Sequence, residues 1–158
     1  MRFTQELNDA FCQQILKELG NVSNYMQIHS YFEDLQLTNL SKFFLDRSNE
    51  EKTHADKFMK HINDRFGGRV TIGEVNEPNL NLSDPNMVGQ EYQRLEQETT
   101  ESIESIYELA FDQKSYMDLP FLLDMLLEQV SEEDESQKFA MNIAMVKDWV
   151  LFDATFGD

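Results

Sequence analysis

Glu51-Lys52-Thr53-His54 sets a carboxylate and an imidazole three residues apart, and Gln129-Val130-Ser131-Glu132 repeats the spacing with an amide and a carboxylate. On a helix, residues three or four apart share one face, so each pair offers two donor atoms in one direction. Two single carboxylates complete the pattern: Glu18 lies 33 residues before Glu51, and Glu96 lies 33 residues before Gln129. Oxygen donors with one imidazole and no thiolate suit hard or borderline ions such as Fe(II), Fe(III) and Mn(II). By itself Glu-x-x-His is common and describes an exposed pair. Its surroundings give it meaning.

Those surroundings are apolar. Four stripes step by three or four residues along the chain: Phe11, Ile15, Glu18, Val22 and Tyr25; then Leu40, Phe44, Arg47, Glu51, His54, Phe58 and Ile62. The third is Tyr92, Glu96, Thr99, Ile103, Ile106 and Ala110, and the fourth is Leu122, Met125, Gln129, Glu132, Ser136, Phe139 and Ile143. Each stripe marks the buried face of an amphipathic helix. A charge on such a face is expensive to desolvate unless it is paired or bound to a cation. Four intrusions, each midway along a separate helix, predict a metal site at the centre of a bundle. Di-iron carboxylate bundles take a Glu from each of two helices and Glu-x-x-His from each of the other two. Three of those four contributions are matched here, and the fourth offers Gln129 and Glu132.

The elements that must position these groups follow from punctuation. A first helix is expected from about Thr4 to Asp34, and a second to about Arg65, capped by Thr38 or Asn39 and ended by Gly67-Gly68. Residues 69 to about 86 hold Pro78, Pro85, Gly73 and several Asn without a periodic pattern. A third helix is expected from about Met87 to Lys114 and a fourth from about Leu119 to Val146, followed by a short apolar tail around Trp149-Val150-Leu151-Phe152. The first and second helices, and the third and fourth, are joined by a few residues and form antiparallel hairpins. The middle connection of about 20 residues is too long for a turn. It can span the roughly 42 Å of a 28-residue helix, which makes the second and third helices parallel. Two hairpins joined by one long crossover are the ferritin-like arrangement of an all-α four-helix bundle.

Composition bounds the rest. The 158 residues fit a single domain, 1–158, with the bundle at about 4–146 and a short segment at 147–158. A formal charge of −17 argues against binding the nucleic-acid backbone; it fits attraction of cations, and more simply a solvated acidic surface. The lone Cys12 excludes an internal disulfide and a cysteine-based zinc cluster. The first residues carry no apolar run typical of a secretory signal, and no stretch approaches the length of a membrane span. A soluble, cytoplasmic protein without membrane partners is the expectation.

At this point the chain resembles the non-haem ferritins of bacterial type, over about residues 5 to 156. The resemblance rests on Leu7-Asn8, Gln14, Glu18 and Tyr25; on Glu50-Glu51-Lys52-Thr53-His54-Ala55; and on Asn63-Asp64-Arg65 before Gly67-Gly68. Further matches are Glu96-Gln97 with Thr100 and Ile103, Glu128-Gln129-Val130 with Glu132-Glu133, and Leu151-Phe152-Asp153. The resemblance implies a ferroxidase centre. Glu18, Glu51 and His54 would hold one iron, with Glu51 bridging. Glu96, Glu51 and Glu132 would hold the second, and Gln129 would orient bound water or oxygen species. Tyr25 matches a tyrosine beside the family's centre and is either an electron donor or a satisfied core tyrosine. Glu50, Glu128 and Glu132 match a third iron position, although Ser131 stands where a carboxylate is usual. Iron would be oxidised by O2 or peroxide and stored as ferric mineral inside a homo-oligomeric shell, 24 subunits in the family. Lys52 replaces the Met of haem-binding bacterioferritins, so no haem is expected. The tail is about five or six residues short of the family's fifth helix, which bears on the shell's four-fold axis.

Other readings have specific expectations. A di-iron oxidase or peroxidase of rubrerythrin type, storing nothing, would carry a second Glu-x-x-His and often a cysteine-rich domain. An inert shell subunit would have lost Glu18, Glu51 or His54. Miniature ferritins of the DNA-protecting kind place their site between subunits. Outside the centre, His61, Asp56 and Asp64, interleaved with Lys57 and Lys60, read as a solvated helix face, and His29 as packed or exposed rather than a ligand. Asp118 and Asp124 fall where ferritins often line an entry channel. The Glu132-Glu133-Asp134-Glu135 run reads as surface except for Glu132.

Overall fold

The computed structural model describes residues 3–157. Among these residues all regular structure is helical: α1 (Gln5–Asp34), α2 (Thr38–Asp64), a 3-10 turn (Pro85–Met87), α3 (Val88–Asp112), α4 (Leu119–Ile143) and α5 (Trp149–Thr155). The expected bundle, crossover and short fifth helix are all present, with helix ends within a few residues of those read from sequence. Among the described residues, no helix is long and apolar enough to cross a membrane.

Both hairpin links close the same way, and neither uses glycine. Gln36 and Lys114 take left-handed backbone angles, φ 59° and 56°. The chain then turns back: Leu37 N–H donates to Phe32 O at 3.0 Å, and Ser115 N–H donates to Ala110 O at 2.8 Å. These bonds satisfy carbonyls that a helix C-terminus otherwise leaves open. At the end of α2 the requirement for glycine is real, because a Cβ on Gly68 would lie 2.0 Å from Ile62 O.

The start of α2 differs from expectation. Neither Thr38 nor Asn39 caps it; both lie inside the helix or at its first turn, and no local side chain accepts from its free N–H groups. Instead Asp153 of α5 accepts from Leu40 N at 2.8 Å and from Asn39 N at 3.4 Å. Asn39 Nδ2 also donates to Asp153 O at 2.8 Å, which ties the last helix to the first hairpin.

The crossover is pinned at its start by Asn8 of α1. Its side chain accepts from Arg69 N at 2.8 Å and donates to Arg69 O at 2.9 Å, so it pairs with extended backbone as a neighbouring strand would. Farther along, Leu80 and Leu82 pack against buried apolar residues. The core itself is divided. One cluster holds Leu7, Phe11, Ile15, Phe58, Ile62, Ile103 and Leu122; the other holds Ile28, Phe32, Leu40, Phe44, Tyr92, Phe139 and Ile143. Between them runs a belt of buried polar groups, including Glu18, Asn21, Ser48, Glu51, His54, Glu96, Thr99 and Gln129. This belt is the three-dimensional form of the interrupted stripes.

Candidate metal centre

Each belt residue reaches the bundle axis because its own helix turns it there. Glu18 is fully buried and Glu51 is 3% exposed, so neither carboxylate can be solvated by bulk water. Their Oε2 atoms lack any hydrogen-bond partner. Both face one imidazole nitrogen: His54 Nδ1 lies 3.9 Å from Glu18 Oε2 and 3.6 Å from Glu51 Oε2. One ligand atom from each of the three residues lies within 4.8 Å of the others. Buried polar atoms are normally satisfied. Two bare carboxylate oxygens beside an imidazole nitrogen therefore fit a cation, and the all-oxygen-and-nitrogen donor set fits Fe(II) or Mn(II).

The supporting contacts divide each side chain's labour. Gln14 Nε2 donates to Glu18 Oε1 at 2.9 Å while its own Oε1 accepts from Ser102 Oγ at 2.6 Å, leaving Glu18 Oε2 free. On the other edge of His54, Nε2 lies 3.0 Å from Glu128 Oε2, and Lys57 Nζ lies 2.9 Å from Glu128 Oε1. A hydrogen bond from Nε2–H to Glu128 would leave the Nδ1 lone pair toward the carboxylate oxygens. A carboxylate behind a ligating imidazole in this way fixes the ring and raises its basicity.

Glu96 is held differently. Tyr25 Oη donates to its Oε1 at 2.5 Å and Gln129 Nε2 donates to its Oε2 at 3.1 Å. Gln129 also reaches Thr100 Oγ1 at 3.2 Å. Glu132 is half-buried and its Oε2 lies 3.8 Å from Arg47 Nη1. Glu50 bonds Arg47 Nη2 at 2.9 Å. Of the residues expected at the centre, the structure thus gathers Glu18, Glu51 and His54 into one cluster, with Glu96, Tyr25 and Gln129 in a second hydrogen-bonded group. Glu50 and Glu128 are each engaged by a protein cation or imidazole.

The electrostatics follow from burial and crowding. Desolvation, then repulsion from Glu51, raises the Glu18 pKa well above the usual carboxylate range. Burial, helped by the neighbouring charges of Glu96, Glu132 and Glu50, pushes Glu51 up to about 8 against the lowering effect of its side-chain contact with Glu18. Burial and the Glu96 and Glu50 charges raise Glu132 to about 7. Burial raises Glu96 as well, against the hydrogen bonds from Tyr25 and Gln129. Carboxylates this close share protons until another cation replaces them.

One expectation is corrected at the end of the bundle. His61 is not on a solvated face: its ring stacks on Phe121 and Phe11, with centroids 4.3 and 5.3 Å away, and its Nε2 lies 2.7 Å from Asp118 Oδ1. Its partner Asp118 faces the interior of the bundle. It is fully buried, and Arg65 Nε and Ser115 Oγ donate to it at 2.6 and 2.5 Å. Burial alone would raise its pKa, but these donors outweigh it and lower the value to about 2. Lys60 and Asp64 do form an exposed pair as expected, Asp124 is exposed, and His29 is half-buried against Ser41.

Comparison with known proteins agrees with this architecture. Residues 8–146 match the family model of the ferritin-like domain. The middle-subunit ferritin of Aquarana catesbeiana is 31% identical over 119 residues, covering 73% of this chain and 65% of that protein. The chain thus spans a little under two thirds of the length of that relative. The open pore ferritin of the hyperthermophilic archaeon Archaeoglobus fulgidus superposes with a TM-score of 0.91 at 24% identity, covering 96% of this chain and 94% of that one. An engineered closed form of the same archaeal ferritin gives 0.89 at 26% identity, with the same coverage. The chain belongs to the ferritin-like domain family, and its fold is the ferritin four-helix bundle with a short C-terminal helix.

Proposed function

We propose that this protein stores iron and detoxifies it, oxidising Fe(II) within each subunit and depositing the ferric product inside a homo-oligomeric shell. The observation that carries this reading is the pair of buried, unpartnered oxygens, Glu18 Oε2 and Glu51 Oε2, facing His54 Nδ1. Iron is the substrate. One Fe(II) binds Glu18, Glu51 and His54; a second binds Glu96, Glu132 and the shared Glu51. Each ion gives up one electron, and O2 takes the pair with two protons to become hydrogen peroxide. The chain's own work is to strip water from the ions, neutralise them with carboxylates and give up the protons those carboxylates hold. Gln14 keeps Glu18 aimed at the first position. Gln129 lies beside the second, where its amide can meet bound water once an ion draws Glu96 away. Tyr25 is already bonded to Glu96 and is an oxidisable side chain beside that position.

Assembly is supported by apolar side chains that a lone bundle leaves bare. Leu123, Leu127 and Val130 share one face of α4 and are 48%, 60% and 66% exposed, and Val150 and Leu151 of α5 are likewise exposed. Contiguous apolar surface of this kind marks contacts between molecules.

The test begins with anaerobic Fe(II) added to apoprotein, which should bind near two per subunit and oxidise rapidly in air. Glu51→Ala combined with His54→Ala should abolish rapid oxidation; oxidation at the parent rate would refute the site. Continued uptake far beyond two ions per subunit separates storage from a di-iron oxidase or peroxidase that stores nothing. Light scattering that returned a species of a few tens of kilodaltons would refute the shell.

A further inference from the structure

Arg47 lies on the core-facing stripe of α2, one turn before Glu51, and has no task in iron oxidation as described. Its guanidinium gathers three carboxylates. Nη2 meets Glu50 Oε1 at 2.9 Å, Nη1 lies 3.1 Å from both oxygens of Glu135, and Nη1 lies 3.8 Å from Glu132 Oε2. The group covers the ring of Phe43 at 5.1 Å, and its Nε is buried without a partner. A guanidinium stays charged throughout the range in which proteins fold. At a site partly screened from water, that charge acts more strongly on its neighbours than it would at the surface.

The two iron positions are consequently unequal before any ion arrives. At the first, Glu18 Oε2, Glu51 Oε2 and His54 Nδ1 are gathered, and no amide or hydroxyl donates to either oxygen. At the second, both oxygens of Glu96 are engaged by Tyr25 and Gln129, and Glu132 leans toward Arg47. A cation entering the second position meets a resident positive charge and must compete with it for Glu132.

We infer that Arg47 is a positioning residue that serves as a fixed counter-cation beside the second iron position, so that ions load in order and the second is held more weakly. The inference rests on the two-iron reading above. Arg47→Gln keeps polar atoms at this place while removing the charge. Calorimetric titration of the intact apoprotein with Zn2+, which undergoes no redox step, and with anaerobic Fe2+ provides the readout.

The parent should show two unequal affinities. Arg47→Gln should tighten the second by about tenfold or more and leave the first nearly unchanged. Glu135→Gln, at a half-exposed position tolerant of change, is the companion variant. It frees the guanidinium from its two-oxygen partner, turns more of its charge on Glu132, and should weaken the second affinity by about threefold. An unchanged second affinity in both variants overturns the inference. So does a third ion bound by Arg47→Gln with the second affinity unaltered, since Arg47 would then block a separate position. Two equal affinities in the parent refute the ordering alone, whereas a parent that binds neither metal refutes the two-iron reading itself.

Discussion

Asp153 and Leu40 stand 113 residues apart in sequence, yet Asp153 Oδ1 accepts from Leu40 N at 2.8 Å and supplies the cap that α2 lacks locally. A carboxylate at a helix N-terminus satisfies a free N–H and interacts favourably with the helix dipole. Asp153→Ala should therefore lower stability by about 1 kcal/mol. In thermal unfolding of the apoprotein this is a fall of about 2–4 °C. Asp153→Asn, which keeps an acceptor oxygen, should recover most of the loss. The same substitution to Ala should raise hydrogen exchange in α5 and in the first turn of α2 together, because one side chain holds both.

That contact shows where sequence reading stops. Periodicity states which side of a helix faces inward, and it placed Glu18, Glu51, His54, Glu96 and Gln129 on buried faces correctly. It carries no information about partners on other helices. Asp153, with apolar neighbours in a short tail, gave no sign that it would cap a helix more than a hundred residues earlier. His61 looked solvated because Lys57, Lys60 and Asp64 surround it in sequence, but its ring is turned between Phe11 and Phe121. Which oxygen of Glu18 is bound by Gln14, and which is left bare, depends on rotamers that spacing does not encode. The crossover was legible from its length alone, since only a run along the bundle accounts for so many residues without a pattern.

Asp118 gives a stability signal at acid pH. Its pKa is near 2 in the folded protein against an ordinary 3.8, through His61, Arg65 and Ser115. A depressed carboxylate pKa contributes stability that is complete above the unfolded value and is lost as pH falls through the folded one. Asp118 should thus contribute about 2 kcal/mol above pH 4 that disappears toward pH 2. Urea unfolding of the parent and of Asp118→Asn across that range isolates the effect. The gap between them should close as the pH falls; a constant gap would mean that the pairing carries no proton-linked energy.

Ion uptake should release protons. Burial and neighbouring carboxylates push Glu51 up to about 8 and raise Glu18 well above the usual carboxylate range, which favours protonated carboxyls before an ion binds. A cation that takes the place of those protons must expel them. Titration of Zn2+ at pH 7 in two buffers of different ionisation enthalpy should show net proton release at the first position. The release should shrink as pH rises through 8, and Glu18→Gln should reduce it at pH 7. Equal heats in both buffers would mean that the carboxylates are already ionised before the metal arrives.

Glu128 separates two roles for one carboxylate. By resemblance it is a ligand of a third iron; in the structure it is the partner of His54 Nε2 at 3.0 Å, with Lys57 on its other oxygen. A half-exposed glutamate at this place can be removed without opening a cavity, so Glu128→Ala should fold normally. If its work is to hold the imidazole, ion stoichiometry stays constant while affinity at the first position falls by about tenfold or more. Were it a ligand of a third ion, stoichiometry would fall and the first affinity would be untouched. The pairing with Lys57 favours the first outcome, because a carboxylate already shared between an imidazole and an ammonium has little charge left for another cation. Glu128→Gln supplies the control: its carbonyl oxygen can still accept from Nε2, so it should restore part of the affinity without changing the count.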